Sequence, residues 1–443
     1  MSFSNPVVEA GVKGLETLFR ARAVTPLEVT EVYLARIERL NPQLGAVLDI
    51  DRAGALRDAA SSAGRWAGMV PLSPIDGAPV LIKVNIAVAG LPWHGGIGAY
   101  CDQIAQADAT CVQQLRAAGA IILGTVNMHE AALGATTDNP WFGRCQNPWR
   151  HGLTPGGSSG GSGAAVAAGL CAAALGTDTM GSVRLPSAYC GVFGHKPAMG
   201  AISENGVMPL SWTLDHVGVH ARSTDDCAAL LAVLAPRTIE AKLDPSKPLA
   251  SLIFDGQVDV DVQVLAGFEA TIARATALGM AVQPVRLEGF DYGRMRRLGL
   301  LISEAEGFVV HQARMTEAPD GFSEGLRKLL TWGAERPAHQ LARAYRDIET
   351  AAAEVRDQLK PFAGLLMPSG PQPAFDFDHV PANQADFTAV GNFTGMPATA
   401  FPVGLTTDGR PLSCQIMAEN ETTALTLAGQ LAQPVGAPSA YRG

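Results

Sequence analysis

The sequence is poor in charged residues, and basic side chains are the scarcer kind. Only 17% of its 443 residues are charged, and 33 Lys and Arg stand against 42 Asp and Glu, which gives a formal net charge of −9. Proteins that bind nucleic acid concentrate lysine and arginine on one surface because they must neutralise phosphates. No basic run of that kind occurs here. The composition therefore predicts a protein that does not bind nucleic acid.

Disulfide patterns, leader sequences and long apolar runs are missing as well. The 7 cysteines are odd in number and lack the spacing of a disulfide framework, which indicates buried thiols in a reducing compartment. The first residues, MSFSNPVVEAG, lack the charged and apolar regions of a signal peptide. No stretch of about 20 residues is apolar enough to cross a bilayer. We expect a soluble, cytoplasmic protein without a membrane partner.

Motifs for metals and nucleotides are also absent. His129 and Glu130 begin like the zinc motif HExxH, but Leu133 stands where the second histidine is required. The 9 histidines are otherwise scattered along the chain. A glycine-rich stretch is present, but it lacks the Gly-Lys-Ser/Thr ending of a phosphate-binding loop. The sequence therefore predicts neither a metal ion nor a cofactor.

What the chain has in quantity is apolar and small residues, arranged as alternating helices and strands. Hydrophobic residues make up 47% of it, and there are 48 glycines. Strands are predicted at 46–50, 79–84, 120–126, 171–178, 248–256, 362–367, 398–403 and 411–417. Helices are predicted at 7–21, 26–40, 51–64, 108–119, 127–134, 160–170, 222–235, 260–278, 302–315, 338–359 and 421–432. This alternation predicts a single α/β/α domain whose central mixed β-sheet is covered by helices.

The most unusual stretch runs from Thr154 to Pro197 and begins with a dense cluster of glycines and serines. Such glycines let main-chain N–H groups approach a ligand closely, and hydroxyls held there are candidates for acyl transfer if a base is near. A flexible linker would not continue into the apolar run 164–175. The turn from Thr179 to Ser182 can place successive N–H groups around one oxygen, which is an oxyanion hole.

A lysine in a buried strand is the second unusual feature. Lys83 lies in the apolar run PVLIKVN at 79–85, and no Asp or Glu occurs within the next nine residues. A lysine is more often paired with an acid or extended to the surface. Burial without a counter-charge instead disfavours the ammonium form and lowers the pKa. We therefore expect Lys83 to be neutral and able to act as a general base.

Four motifs carry a family resemblance. GGSSGGSG begins at Gly156, and GTDTMGSVRLPSAYCGVFGHKPA follows an apolar run. The lysine strand lies upstream, NMHEAALGATTDNPWFGRCQNPW spans 127–149, and GMPATAFPVGLTTDGRPLSCQIMA stands near the end. With these motifs the chain resembles the amidase signature family of serine hydrolases over nearly its whole length. The likeness weakens only between about residues 237 and 360.

The resemblance implies the chemistry and the residues that perform it. In that family a base lysine works through a bridging serine, preceded by a cis peptide bond, to a nucleophilic serine. The matching motifs assign these roles to Lys83, Ser158 and Ser182. Ser182 would attack an amide carbonyl to form an acyl-enzyme, and the other two residues would relay the proton to the leaving amine.

Further residues are expected at the oxyanion hole or against the substrate: Thr179, Met180, Gly181, Asp178 and Ser159. Met180 stands where the family has glycine, so the acyl pocket must be reshaped. Asp178 and Arg184 either contact the substrate or form an ion pair that fixes the turn, and we favour the ion pair. Ser159 is expected to orient Lys83 or to hydrogen-bond near the nucleophile.

The domain organisation predicted for residues 1–443 is simple. Residues 1–45 form an N-terminal helical arm that either mediates dimerisation or braces the core, and we expect a homodimer. The segment 237–360 is expected to be helical and to build the walls of the pocket. No repeat and no second motif-bearing domain is present.

The predicted activity is hydrolysis of a C–N bond, other than a peptide bond, in a small-molecule substrate. Aliphatic or aryl amides and urea-like compounds such as biuret are the candidates. One alternative is the amidase-type subunit of a glutamine-dependent amidotransferase, which would need a partner. The other is an α/β-hydrolase-type esterase, because GGSSG at 156–160 also fits G-x-S-x-G; its histidine would be His216, beside Asp215.

Overall fold

The structure is a computed structural model that describes residues 6–235 and 243–441. The strands are β1 (Val47–Ile50), β2 (Pro79–Lys83), β3 (Ile121–Val126), β4 (Asp138–Asn139), β5 (Gly143–Arg144), β6 (Ala173–Thr177), β7 (Phe193–Lys196), β8 (Val217–Ala221), β9 (Leu249–Leu252), β10 (Val282–Val285), β11 (Gly364–Pro368), β12 (Ala398–Leu405) and β13 (Pro411–Ala418). The helices are α1 (Pro6–Glu9), α2 (Gly11–Arg20), α3 (Pro26–Leu44), α4 (Arg52–Ala67), α5 (Thr110–Ala117), α6 (Gly160–Ala167), α7 (Arg184–Cys190), α8 (Thr224–Leu234), α9 (Val262–Ala277), α10 (Tyr292–Glu317), α11 (Glu324–Ala334), α12 (Ala338–Leu359), α13 (Ala389–Thr394) and α14 (Glu421–Leu431).

Eleven strands form one mixed sheet in the order β1-β3-β2-β6-β8-β7-β12-β13-β11-β9-β10. Strand β2 lies between β3 and β6 and is parallel to both. The strands from β6 through β8, β7, β12 and β13 to β11 pair antiparallel, and β11, β9 and β10 are parallel again. The predicted fold class, an α/β domain around a mixed sheet, is confirmed.

The central strands owe their position to mainly apolar sequence. Every residue of β2, β3 and β6 is buried, as expected for strands that helices cover on both faces. Because β2 and β6 are parallel, their last residues, Lys83 and Thr177, lie at the same edge of the sheet. That edge is where the polar side chains of the site meet.

Helix α6 packs closely behind that edge because its first turn consists of small residues. A Cβ at Gly161 would lie 2.3 Å from Asn127 O, and one at Gly157 would lie 2.6 Å from Ala135 C. Both approaches are shorter than any side chain tolerates. The glycines of the 156–163 stretch therefore allow the serine loop to pack directly against the 127–137 loop.

The predicted helix at 127–134 is wrong. Only a three-residue 3-10 turn, Glu130–Ala132, forms there, and Ala131 and Ala132 have φ of 53° and 59°. Such angles interrupt an α-helix. The sequence also failed to predict eight of the described strands and α-helices: β4, β5, β7, β8, β10, α7, α11 and α13. Helix α10 was predicted, but it begins ten residues before the predicted 302.

The described part of the N-terminal arm packs on the core. Thr25 caps α3 through a capping box with Glu28, with Pro26 in the first turn, as the cap-then-proline pattern predicts. Leu15, Phe19 and other apolar residues of α2 and α3 are buried in the main core cluster. Residues 1–5 of the arm and 236–242 of the predicted variable segment lie outside the described residues. The expected homodimer stays a prediction.

The sequence analysis also predicted that the protein has no membrane-spanning segment. Within residues 6–235 and 243–441, none of the helices combines the length and the apolarity that crossing a bilayer requires.

Candidate active site

Lys83 is the centre of the polar cluster at the sheet edge. It is fully buried, and its Nζ lies 2.7 Å from Ser158 Oγ and 2.8 Å from Thr177 Oγ1. Both partners are neutral hydroxyls. Burial lowers the pKa of Lys83 from 10.5 to about 7, although the more distant carboxylates of Asp215 and Asp178 oppose the shift. A lysine with this pKa has a large neutral fraction near pH 7 and can accept a proton.

Ser158 is held beside the lysine by the backbone around it. The Gly157–Ser158 peptide bond is cis. Ser158 is fully buried, and its main-chain oxygen accepts a hydrogen bond of 3.0 Å from the N–H of His129. The 127–137 loop and the serine loop thus fix each other, and the Ser158 hydroxyl stays within reach of Lys83.

Ser182 lies in the turn between β6 and α7, in the wall of a cavity. It is half-buried and lines that cavity. Its main-chain oxygen accepts a hydrogen bond of 3.2 Å from Ser159 N–H, which joins the two loops. Among the residues that the structure describes, no hydrogen bond links Ser182 Oγ to Ser158 Oγ. The structure therefore brings Lys83 and Ser158 into contact and places Ser182 at the cavity.

Asp178 and Arg184 form the ion pair that the sequence analysis favoured. Arg184 Nη2 lies 2.9 Å from Asp178 Oδ1, and both side chains are inaccessible to solvent. Burial alone would raise the pKa of Asp178, but the Arg184 guanidinium holds it well below its usual range. Asp178 is not among the described residues of the cavity wall. The ion pair agrees with a role in fixing the turn, and a role of Asp178 in substrate binding stays a prediction.

The turn offers fewer oxyanion donors than expected. The N–H of Gly181 donates to Asp178 Oδ1 at 2.7 Å, so Gly181 is not available as a donor, which corrects that prediction. The N–H groups of Thr179, Met180 and Ser182 have no hydrogen bond to any described residue. These three are the candidates for binding a developing oxyanion.

Two side-chain contacts anchor the same turn. Thr179 Oγ1 donates to Asp215 Oδ1 at 2.6 Å, and Thr388 Oγ1 donates to the main-chain oxygen of Met180 at 2.6 Å. Asp215 is buried, and desolvation raises its pKa to about 6 although Thr179 donates to it. The turn is therefore held on both sides, which limits movement of its N–H groups.

Ser159 does not orient Lys83 directly. Its Oγ donates to Thr177 O at 3.1 Å and accepts from Thr177 N–H at 3.2 Å. Thr177, in turn, contacts Lys83 and also accepts a hydrogen bond of 3.2 Å from Asn85 Nδ2. Sequence reasoning missed Thr177 and Asn85. The signal for Thr177 was a hydroxyl at the end of a strand expected to lie in the same sheet as the lysine strand.

The cavity at Ser182 is small and mainly apolar. Its volume is about 140 Å³, and its walls include Leu133, Leu185, Leu210, Leu300, Pro381 and Ala385. Arg296 of α10 also lines it, and its guanidinium lies 2.5 Å from the carboxylate of Asp386, which is 5% exposed. The charge of Arg296 is therefore already compensated.

The residues needed for an α/β-hydrolase are not assembled. His216 Nδ1 contacts the main-chain oxygen of Leu214 at 2.8 Å, and burial lowers the pKa of His216 to about 3. No hydrogen bond of the described residues joins His216 to Ser158 or Ser159. Helix α6 does begin at Gly160, but the 145–159 segment before it is loop and not the strand that a nucleophile elbow requires.

Metal chemistry was another class to test. In the described ranges, no three His, Cys, Asp or Glu side chains come together in an arrangement that could hold a metal ion. Six of the seven cysteines are buried, and Cys101 is exposed, which corrects the expectation that all the thiols are buried.

The mixed sheet and the glycine-rich serine loops define an α/β enzyme fold of the amidase class. A family profile described as Amidase matches residues 28–427, so the chain belongs to the amidase family, and the resemblance found in the sequence is confirmed. The chain is 34% identical to a glutamyl-tRNA(Gln) amidotransferase subunit from Solidesulfovibrio magneticus, covering 95% of this chain and 96% of that protein.

Solved structures agree with this assignment. A crystal structure described as an amidase has a TM-score of 0.86 and 29% identity, covering 94% of this chain and 98% of that one. The structure of 6-aminohexanoate cyclic dimer hydrolase has a TM-score of 0.87 and 26% identity, covering 97% and 98%. The proteins that this chain resembles thus include both hydrolases and an amidotransferase subunit.

Proposed function

We propose that the protein hydrolyses the C–N bond of a small, neutral amide through an acyl-enzyme on Ser182. The observation that carries the proposal is the contact of 2.7 Å between the buried Lys83 Nζ and Ser158 Oγ. A lysine with a pKa of about 7 can take up a proton that an ordinary lysine, already charged, cannot. Its neighbour Ser158 is the hydroxyl through which that proton arrives.

The proton and electron pairs move as follows. Neutral Lys83 accepts the Ser158 proton while Ser158 Oγ accepts the proton of Ser182. Ser182 Oγ then forms a bond to the carbonyl carbon, and the carbonyl oxygen becomes an oxyanion. When the C–N bond breaks, Ser158 returns a proton to the leaving nitrogen and is reprotonated by Lys83. Water, activated by the same pair, then cleaves the ester and releases the acid.

The turn contributes the second part of catalysis. The three N–H groups of Thr179, Met180 and Ser182 are available to the oxyanion, and the Asp178–Arg184 pair holds the turn rigid. Donors already oriented toward the developing charge need no reorganisation during the reaction, and losing one commonly costs about 10²–10³-fold in rate.

The cavity favours a small neutral substrate. Its volume of about 140 Å³ is below the roughly 300–1,000 Å³ of pockets that take drug-sized ligands. Arg296 is already paired with Asp386, so a charged substrate would have to displace an existing ion pair. Short aliphatic amides, aryl amides and urea-like compounds fit these conditions.

A second candidate is an amidotransferase subunit that releases ammonia from glutamine. The 34% identity to such a subunit over 95% of the chain favours it. Free glutamine carries both an ammonium and a carboxylate group, however. Arg296 is already paired with Asp386, so this ion pair does not favour binding of either charge. In this case the protein would require partner subunits, whereas the main proposal requires none.

Release of ammonia or aniline by the purified protein alone tests the proposal. The wild type should hydrolyse neutral amides with a short acyl group, such as propionamide or acetanilide, faster than L-glutamine. Ser182→Ala, which removes only the attacking oxygen, should reduce the rate at least 10²–10⁴-fold, on the order of what a catalytic group contributes. Hydrolysis of glutamine alone would contradict the main proposal and favour the second candidate.

A further inference from the structure

The side chain of Met180 occupies a notch in helix α10. The notch is made by Gly299: a Cβ added there would lie 2.6 Å from Met180 Sδ and 2.7 Å from Phe393 Cζ. Any other residue at 299 would therefore have to displace the thioether or the ring. Met180 is half-buried and packs against the main core cluster, while it also lines the cavity at Ser182. The methionine is thus a fixed part of the cavity wall.

The position of Met180 identifies the part of the substrate that it meets. During C–N cleavage the leaving nitrogen must face Ser158, which returns the proton, and Ser158 lies beside Lys83 at the end of β2. The thioether of Met180 points instead to α10, where Leu300 and Ser303 continue the wall. Because the acyl and amine groups leave the carbonyl carbon in different directions, an amine that faces Ser158 leaves the acyl group to extend along the wall that Met180 and α10 form.

We propose that Met180, seated against Gly299, ends the acyl pocket and restricts the enzyme to short, neutral acyl groups. The inference rests on the proposed Ser182 acyl-enzyme and adds the size of its acyl part. Met180 is a specificity-determining residue because its side chain occupies the volume that a longer acyl chain would need. Its backbone N–H remains available to the oxyanion whatever the side chain.

A chain-length series compares the wild type with Met180→Ala. The wild type should lose kcat/KM from acetamide to hexanamide. In Met180→Ala the ratio of kcat/KM for hexanamide to kcat/KM for acetamide should rise at least about tenfold. One methylene too many in an apolar pocket costs about 10–200-fold in kcat/KM. A series in which the amine varies and the acyl group stays acetyl should be unaffected. Equal chain-length profiles in both proteins, or a change in the amine series alone, would overturn the inference.

A control variant and a labelling experiment distinguish failure of this inference from failure of the proposed function on which it rests. Met199→Ala changes a methionine that is 51% exposed and lies outside the cavity wall, so it should keep the wild-type profile. Ethyl alkylfluorophosphonates of increasing alkyl length label Ser182 without turnover, and mass spectrometry gives the rate. Faster labelling by hexyl probes in Met180→Ala would support the pocket even if no amide were hydrolysed. If the labelling rate depended on alkyl length in the same way in both proteins, the inference would be overturned even if amides were hydrolysed.

Discussion

Lys83 shows at the scale of one residue how the fold lowers the pKa of a lysine. Its burial is complete, its two hydrogen-bond partners are the hydroxyls of Ser158 and Thr177, and no carboxylate of the described residues contacts it. Desolvation therefore outweighs the attraction of Asp215 and Asp178, and the pKa falls to about 7. A buried lysine paired with an acid would have stayed charged and useless as a base.

The lowered pKa predicts how Lys83 affects stability as pH changes. Above about pH 7 the folded lysine has released its proton, whereas the unfolded one keeps it up to its ordinary pKa of 10.5. The unfolded state thus binds more protons in this window, and the free energy of unfolding rises with pH by up to about 1.4 kcal/mol per unit. Below pH 7 both states bind the proton, and the cost of burying the charge is greatest.

Urea unfolding of the wild type and Lys83→Met at pH 6.5, 8 and 9 measures this effect. Methionine has a similar length and no proton to bind, so titrating groups remote from residue 83 contribute equally to both proteins, and Asp215, whose pKa is about 6, is largely ionised at pH 8 and 9. The stability of the wild type relative to Lys83→Met should rise between pH 7 and 9. A constant difference at all three pH values would show that Lys83 keeps its ordinary pKa in the folded protein.

At the scale of elements, the turn between β6 and α7 depends on one buried ion pair. Asp178 stands directly after β6, Arg184 is the first residue of α7, and their contact brings strand and helix together around Ser182. The carboxylate also accepts hydrogen bonds from the N–H groups of Gly181 and Val183. Stability and the shape of the proposed oxyanion hole therefore depend on the same side chains.

Arg184→Met should destabilise the protein by about 3–5 kcal/mol in urea unfolding, because it leaves the Asp178 carboxylate buried without its counter-charge. Lys328→Met is the matched control. Lys328 pairs with Glu324 on the surface of α11, where both side chains are 73% exposed, and its loss should cost less than about 0.5 kcal/mol. A loss below about 1 kcal/mol for Arg184→Met would contradict the role given to this pair.

The elements that the sequence predicted well share one property. Strands β2, β3 and β6 are mainly apolar and fully buried, and the motifs at their ends are enough to identify Lys83 and the serines as candidates. The 127–134 segment misled because two of its helix-favouring alanines, Ala131 and Ala132, adopt positive φ, while Asn127 and Ala135 on either side of them pack against the serine loop. Strands β7 and β8 are short and contain glycine and histidine, so their burial comes from the sheet and not from their composition.

At the scale of the whole molecule, distant segments complete one cavity. The turn of residues 179–182, the 132–135 loop, α10 and the 381–385 loop all line it. The contact of Arg296 with Asp386 joins α10 to the end of the 381–385 loop, and that of Thr179 with Asp215 anchors the 179–182 turn. No sequence pattern could predict the volume of such a cavity, because its size depends on residues from several separate parts of the chain, Met180 and Leu300 among them.

The central claim is that Lys83 is the base of a serine amidase. Its most direct test is the rate of hydrolysis of an amide and of an activated ester, with the same acyl group, by Lys83→Ala and by His216→Ala. Lys83→Ala should lose about 10²–10⁴-fold or more on the amide and less on the ester, whose leaving group needs no proton. His216→Ala should keep the wild-type preference between the two substrates. Near wild-type amide hydrolysis by Lys83→Ala would contradict the account.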